Sequence, residues 1–345
     1  MFILLLFPFF GSWLYAQMEK PTSIIMIMAG GMGVSEISAA LVKNNDTLNL
    51  ERFSKIGFIK NYKQHNFAID LKYGTLPIAW GKHSYMDNPP DSVMRSFQTI
   101  FDIAHEKGKL TGIITSGELV SNSISPFYSH RPFHKNTDKI VWDLIDANPE
   151  VMIGGGKRYF KDPDGKDFYP ELEIRDYKII EDIKTLKKRT ARKVAAIMDK
   201  SNMPAAEKRG NFFEQAWLRA FKSLVKNDKG FFLVIENPHI EWAARQNDSR
   251  YMTSEIIDYD KLIGKILSFL EADPKTLILV VCPYEIGGFS LNDGDLNEKH
   301  INPKWSSRST TACLVPVFAT GNGADLFTSI YSNEEIFTKL KSLME

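Results

Sequence analysis

Apolar residues along this chain come in short runs, each closed by glycine or a turn, with helically spaced stretches between them. "SIIMIMAGG", Ser23 to Gly31, is apolar at successive positions, which predicts a strand buried on both sides. "SFQTIFDIAHEKGKLTGIITSG" reads as a helix, a glycine turn and a strand, and "EVMIGGGKRYF" as another strand closed by glycines. "EDIKTLKKRTARKVAAIMDK" reads as a basic helix whose lysines form a solvated face. "GFFLVIENPHIEW" opens as a strand, and "SEIIDYDKLIGKILSFLEA" has the apolar spacing of an amphipathic helix. "TLILVVCPYEIGGFSL" and "CLVPVFATGNGA" add two more buried strands. This alternation predicts an α/β fold: a large, mostly parallel central sheet flanked by helices on both faces. "NPPDS" and "KDPDGKD" read as turns rather than domain boundaries, and no internal repeat is visible.

The first residues break the pattern. "MFILLLFPFFGSWLYAQ" is apolar but shorter than the ~20 residues that span a bilayer, and it ends in Leu14-Tyr15-Ala16. It reads as a signal peptide over residues 1–16, leaving one domain over residues 17–345 and an exported, periplasmic or extracellular protein. No Lys or Arg precedes the apolar run, so an uncleaved anchor is the other reading. No later segment looks transmembrane. Of the 345 residues, 43% are hydrophobic and 25% charged, and the net charge is +1. That balance speaks against nucleic acid or an anionic membrane surface as partner. The two cysteines, Cys282 and Cys313, form no disulfide framework and no metal motif, although one bridge between them is conceivable.

"IIMIMAGGMGVSEISAA" poses the chemical question. A strand emptying into a glycine turn and a helix is a common mount for a metal ligand or an anion. Yet no acidic, histidine or cysteine side chain occurs from Ile24 to Ser35.

The order of the segments resembles the alkaline phosphatase family. The opening strand matches its Gly-Asp-Gly-Met-Gly turn, and "GKLTGIITSGELVSNSISPFYSH" its second core segment. "VMIGGGKRYF" is similar to a Gly-Gly-Gly-Arg-Lys-Tyr stretch, and "GFFLVIENPHIEWAARQND" to a segment running from Met-Val-Glu-Gly to Asn-Asp. "LVVCPYEIGGFSL" is similar to Val-Val-Thr-Ala-Asp-His-Glu-Thr-Gly-Gly, and "VPVFATGNGADLFTSIY" to the last strand and its sequel. The resemblance implies a site at the strand ends with two zinc ions, a magnesium ion and a Ser or Thr nucleophile.

Residue by residue, it also implies that this site is degenerate. The metal-bridging Asp falls on Gly30, a zinc-binding Asp and His on Pro283 and Tyr284, and another such pair on Glu241 and Arg245. The last ligand His falls on Thr310, the nucleophile on Leu71 and the phosphate-binding Arg near His134, with Arg131 close by. Asp70, before the nucleophile position, is kept. Glu236 and Ser123 match the family's magnesium-site Glu and Thr in kind. Zinc takes His, Cys or carboxylate ligands, and leucine cannot attack phosphorus. The expectation is therefore a pseudophosphatase without cofactor, in which any residual metal would rest on Glu236 and Ser123. Arg245 replaces the lost positive charge and pairs with Glu241 or Glu236, with Tyr284 packed beside it. Two alternatives stay open. One is a zinc- or magnesium-dependent phosphomonoesterase remodelled around Asp70, Glu236, Glu241 and Glu285. The other is a structural partner of an active homologue. The candidate partners are an anion or phosphate-like ligand and a second chain in a homodimer or mixed dimer. Bland readings stand beside these: Glu236 as a hydrogen-bonded buried acid, Asp70 as a helix cap, and His130, His134 and His239 as packing or surface residues.

Overall fold

A computed structural model describes residues 19–62, 74–82, 96–131, 135–163, 165–186, 191–270, 273 and 275–345. The apolar runs form the strands of one sheet. These are β1 (Ser23–Met28), β2 (Lys55–Lys60), β3 (Leu110–Glu118), β4 (Val151–Gly155), β5 (Lys178–Ile180), β6 (Val194–Asp199), β7 (Phe231–Glu236) and β8 (Thr276–Val281). A hairpin of β9 (Ser290–Asp295) and β10 (His300–Lys304) stands apart, and β11 (Val315–Thr320) and β12 (Ser329–Ser332) rejoin the main sheet. Its strand order is β12-β2-β11-β8-β1-β7-β3-β4-β6-β5. Every pairing is parallel except the two made by β11, which runs against β8 and β2.

β1, β7 and β8 are buried along their whole length, so both faces of the sheet centre are covered. This is why their sequences show continuous apolar runs instead of alternation. The helix Ile100–Glu106 starts on a reciprocal cap: Asp102 N donates to Thr99 Oγ1 (3.1 Å) and Thr99 N to Asp102 Oδ2 (2.7 Å). The helix Ser249–Leu270 packs on the helices Val34–Lys43 and His239–Arg245. Its Asp260 accepts the backbone N–H groups of Asn49 (2.8 Å) and Leu50 (3.1 Å), which ties the chain ahead of β2 to the bundle.

Register brings four strand ends together. Met28 lies opposite both Glu236 and Val281, and Thr115 lies opposite Glu236. The chain therefore leaves β1, β3, β7 and β8 at the same edge, which is where an α/β sheet builds its sites.

Two sequence readings need correction. Glu181–Lys200 is no single basic helix: a short helix, Ile183–Leu186, precedes β6. The run Val194-Ala195-Ala196-Ile197 is fully buried between β4 and β5, and that burial outweighs the helix-favouring lysines upstream. Cys282 and Cys313 do not pair; both thiols are free, the first buried and the second exposed. Among the described residues, no helix is long and apolar enough to cross a membrane.

Candidate functional site

The turn after β1 is stitched to the sequel of β8. Ala29 N donates to Val281 O (3.0 Å) and Gly31 N to Tyr284 O (2.9 Å), so Gly30 and Pro283 lie on neighbouring strand ends. Gly31 takes φ +81°, and a Cβ there would stand 3.0 Å from the Cα of Glu241. Glycine is thus needed for the backbone and for the close approach of the next helix. At Gly30 the constraint is a side chain. A Cβ would stand 2.8 Å from the Tyr284 hydroxyl and 3.0 Å from its ring. The same ring presses on Gly74 from its other side. Tyr284, only 2% exposed, fills the space beside the β1 turn.

The tyrosine hydroxyl donates to Glu241 Oε2 at 2.7 Å. Arg245 Nε donates to Glu241 Oε1 at 3.2 Å, and Nη1 reaches the carbonyl of Arg308 at 3.3 Å. Glu241 and Arg245 lie one helical turn apart on His239–Arg245, the spacing at which side chains meet on a helix surface. The glutamate side chain is 8% exposed and the arginine 33%. Burial pushes the Glu241 carboxyl up, while the Tyr284 hydrogen bond and the Arg245 charge favour its ionised form. Burial and the facing Glu241 hold the Tyr284 phenol well above its ordinary value, so it stays a donor.

Glu236 closes β7 and is 4% exposed. Thr115 Oγ1 donates to its Oε2 at 2.7 Å, and Ser123 hydrogen-bonds it from the segment after β3. Burial drives its pKa up to about 7; the two hydroxyl bonds oppose the rise and the Glu241 charge adds to it. Glu285 is buried two residues after Pro283, with the Thr311 hydroxyl and Phe289 N (3.3 Å) as donors. Beside it lies Glu36, whose carboxyl is raised well above its ordinary value, first by burial and then by Glu285. Thr310 is bridged to Ile286 at the rim.

The structure thus brings Gly30, Glu236, Glu241, Arg245, Pro283, Tyr284 and Thr310 to one end of the sheet, with Ser123 beside Glu236. Asp70, Leu71 and His134 lie outside the described residues. Arg131 is bound to Asp143 through Nη2 (2.7 Å) and Nε (3.2 Å), and His130 faces Asp102. His239 points away from this cluster toward the Tyr251 hydroxyl (2.5 Å). Sequence reasoning missed Glu36 and the buried chain behind the site, in which Ser116 Oγ donates to Asn237 Oδ1, Asn237 Nδ2 to Glu255, and Arg209 binds Glu255 and Asp258. Only the position of Glu36 just inside a helix after a glycine turn hinted at its place.

A sequence model of alkaline phosphatase matches residues 22–297. The chain belongs to the alkaline phosphatase family. Alkaline phosphatase 4 of Bacillus subtilis (strain 168) is 23% identical over 334 residues, covering 91% of this chain and 72% of the relative. Alkaline phosphatase 3 of the same organism is 25% identical over 247 residues, 69% of this chain, which spans about half (53%) of that relative's length. The solved alkaline phosphatase from the Antarctic bacterium TAB5 superposes with a TM-score of 0.85 at 28% identity, over 95% of this chain and 99% of that one. The large, mostly parallel sheet is the α/β fold that alkaline phosphatases share.

Proposed function

We propose that this chain is a catalytically silent alkaline-phosphatase-family protein, a pseudophosphatase that binds an anion or a partner instead of turning over a phosphomonoester. The observation that carries the reading is the Gly30–Tyr284 contact. Where the family holds a bridging carboxylate and a histidine, this chain has no side chain and a buried phenol. The phenol hydrogen-bonds Glu241 and takes up the room a Cβ on Gly30 would need. The residues at these positions do not fit a pair of zinc ions. Glu241 alone keeps a ligand atom, it is already engaged by Tyr284 and Arg245, and the arginine would repel a dication. Among the described residues, no three His, Cys, Asp or Glu side chains converge as a metal site would require.

The substitutions support one another physically. Several carboxylates around a metal-free buried site would repel and lose solvation, and neutral replacements relieve that cost. The rest of the reading is export by a signal peptide at residues 1–16 with the family domain over residues 17–345, and pairing with a second chain as homodimer or mixed dimer. The test is turnover. Purified mature protein with zinc and magnesium should hydrolyse an aryl phosphate at the background rate; a saturable, chelator-sensitive rate lost in Glu241→Gln would refute the reading.

A further inference from the structure

We propose that an anion site lies at the end of the sheet opposite the family site, in a cleft that takes a small phosphoryl anion carrying two or more negative charges. The cleft measures about 470 Å³ and is lined by Leu110, Arg192, Lys222, Ser223, Lys226 and Asp228, among others. Leu110 opens β3, Arg192 precedes β6, and Lys226 and Asp228 precede β7, so the cleft sits where these strands begin. Roughly five residues of strand, ~17 Å at 3.3 Å each, separate it from Thr115 and Glu236.

Two independent observations point to an anion. First, three cations from two separate segments line the cleft against one carboxylate, Asp228, and among the described residues none of the three forms an ion pair. Lys222 and Lys226 alone would be explained by the negative end of the helix Phe212–Leu224. Arg192 comes from elsewhere in the chain, and the buried Glu150 feels its charge. Second, Ser223 is 5% exposed, lines the cleft, and its hydroxyl has no hydrogen-bond partner. A buried hydroxyl without a partner is costly, and a χ1 turn toward the cleft that Ser223 lines would bring it to a ligand oxygen. One turn earlier the buried Arg219 binds the carbonyl of Ala191, which fixes the segment carrying Arg192, and its Nε is also unpartnered. Charge-assisted bonds from Arg192, Lys222 and Lys226 to phosphoryl oxygens, with Ser223 as a fourth donor, complete the set.

Isothermal titration of the mature protein with pyrophosphate, at fixed ionic strength balanced with chloride, tests this. The expectation is one saturable site that Lys222→Ala/Lys226→Ala weakens by about tenfold or more and Ser223→Ala by a few fold. Arg245→Ala should leave it unchanged, which separates this site from the family site. Matching thermal melts of the variants would show that they fold. Absence of saturable binding overturns the proposal. So does unchanged affinity in the double variant, or loss of binding on Arg245→Ala.

Discussion

Gly30 and Tyr284 are best understood as one packing unit. With the ring seated, position 30 has no room for a Cβ, because the phenol is held by Glu241 on one side and by Gly74 on the other. Gly30→Ala should therefore destabilise the protein by about 1–3 kcal/mol in urea melts, as overpacking does. In the Tyr284→Ala background the same change should cost much less, a coupling that a double-mutant cycle reads directly. Tyr284→Phe keeps the packing and deletes one hydrogen bond to a buried carboxylate, with an expected loss of about 1–3 kcal/mol. Glu236 gives a pH prediction. Its carboxyl titrates near pH 7 when folded, above the ordinary value of 4.5. The folded state thus holds the extra proton between these values, and stability falls as pH rises through that window, by at most about 3 kcal/mol for this group. Chemical melts at pH 4.5 and 7.5 should show a shallower decline in Glu236→Gln than in the wild type; parallel slopes would rule out the assignment.

At the scale of elements, the site is an outcome of register. Met28, Val281, Glu236 and Thr115 share one level of the sheet, so whatever follows them in sequence meets. That much was legible from the chain. Ile24 to Met28, Phe231 to Ile235 and Leu277 to Val281 are uninterrupted apolar runs, and each is followed by the turn residues that form the site. β6 was hidden because its four buried residues sit beside a lysine-rich stretch, and a four-residue run carries no period of its own. The pair Glu36 and Glu285 and the chain Ser116–Asn237–Glu255–Arg209 were not legible, because their partners are far apart in sequence and only tertiary packing joins them. Arg209 and Glu255 have fully buried side chains and join the helices Ala206–Arg209 and Ser249–Leu270 behind the site. Glu255→Ala strips the buried guanidinium of one of its two carboxylates and Asn237 of its acceptor, and should cost about 1–3 kcal/mol, more than Arg245→Ala, whose side chain is one-third exposed. Equal losses in the two variants would contradict this ranking.

For the whole molecule, the fold is held by its apolar core, and at the strand ends Arg245 pairs with Glu241. A protein stabilised by bound metal loses melting temperature when the metal is removed, by linkage between binding and folding. Here dialysis against a chelator should leave the thermal midpoint unchanged, and added zinc should not raise it. The family membership and the proposed loss of the family's site residues together make catalysis the decisive question. The most direct measurement is hydrolysis of an aryl phosphate by the purified protein, with zinc and magnesium present, at neutral and alkaline pH. The account predicts a rate indistinguishable from the buffer background. Turnover that saturates with substrate, disappears with chelator and falls in Glu241→Gln would contradict it.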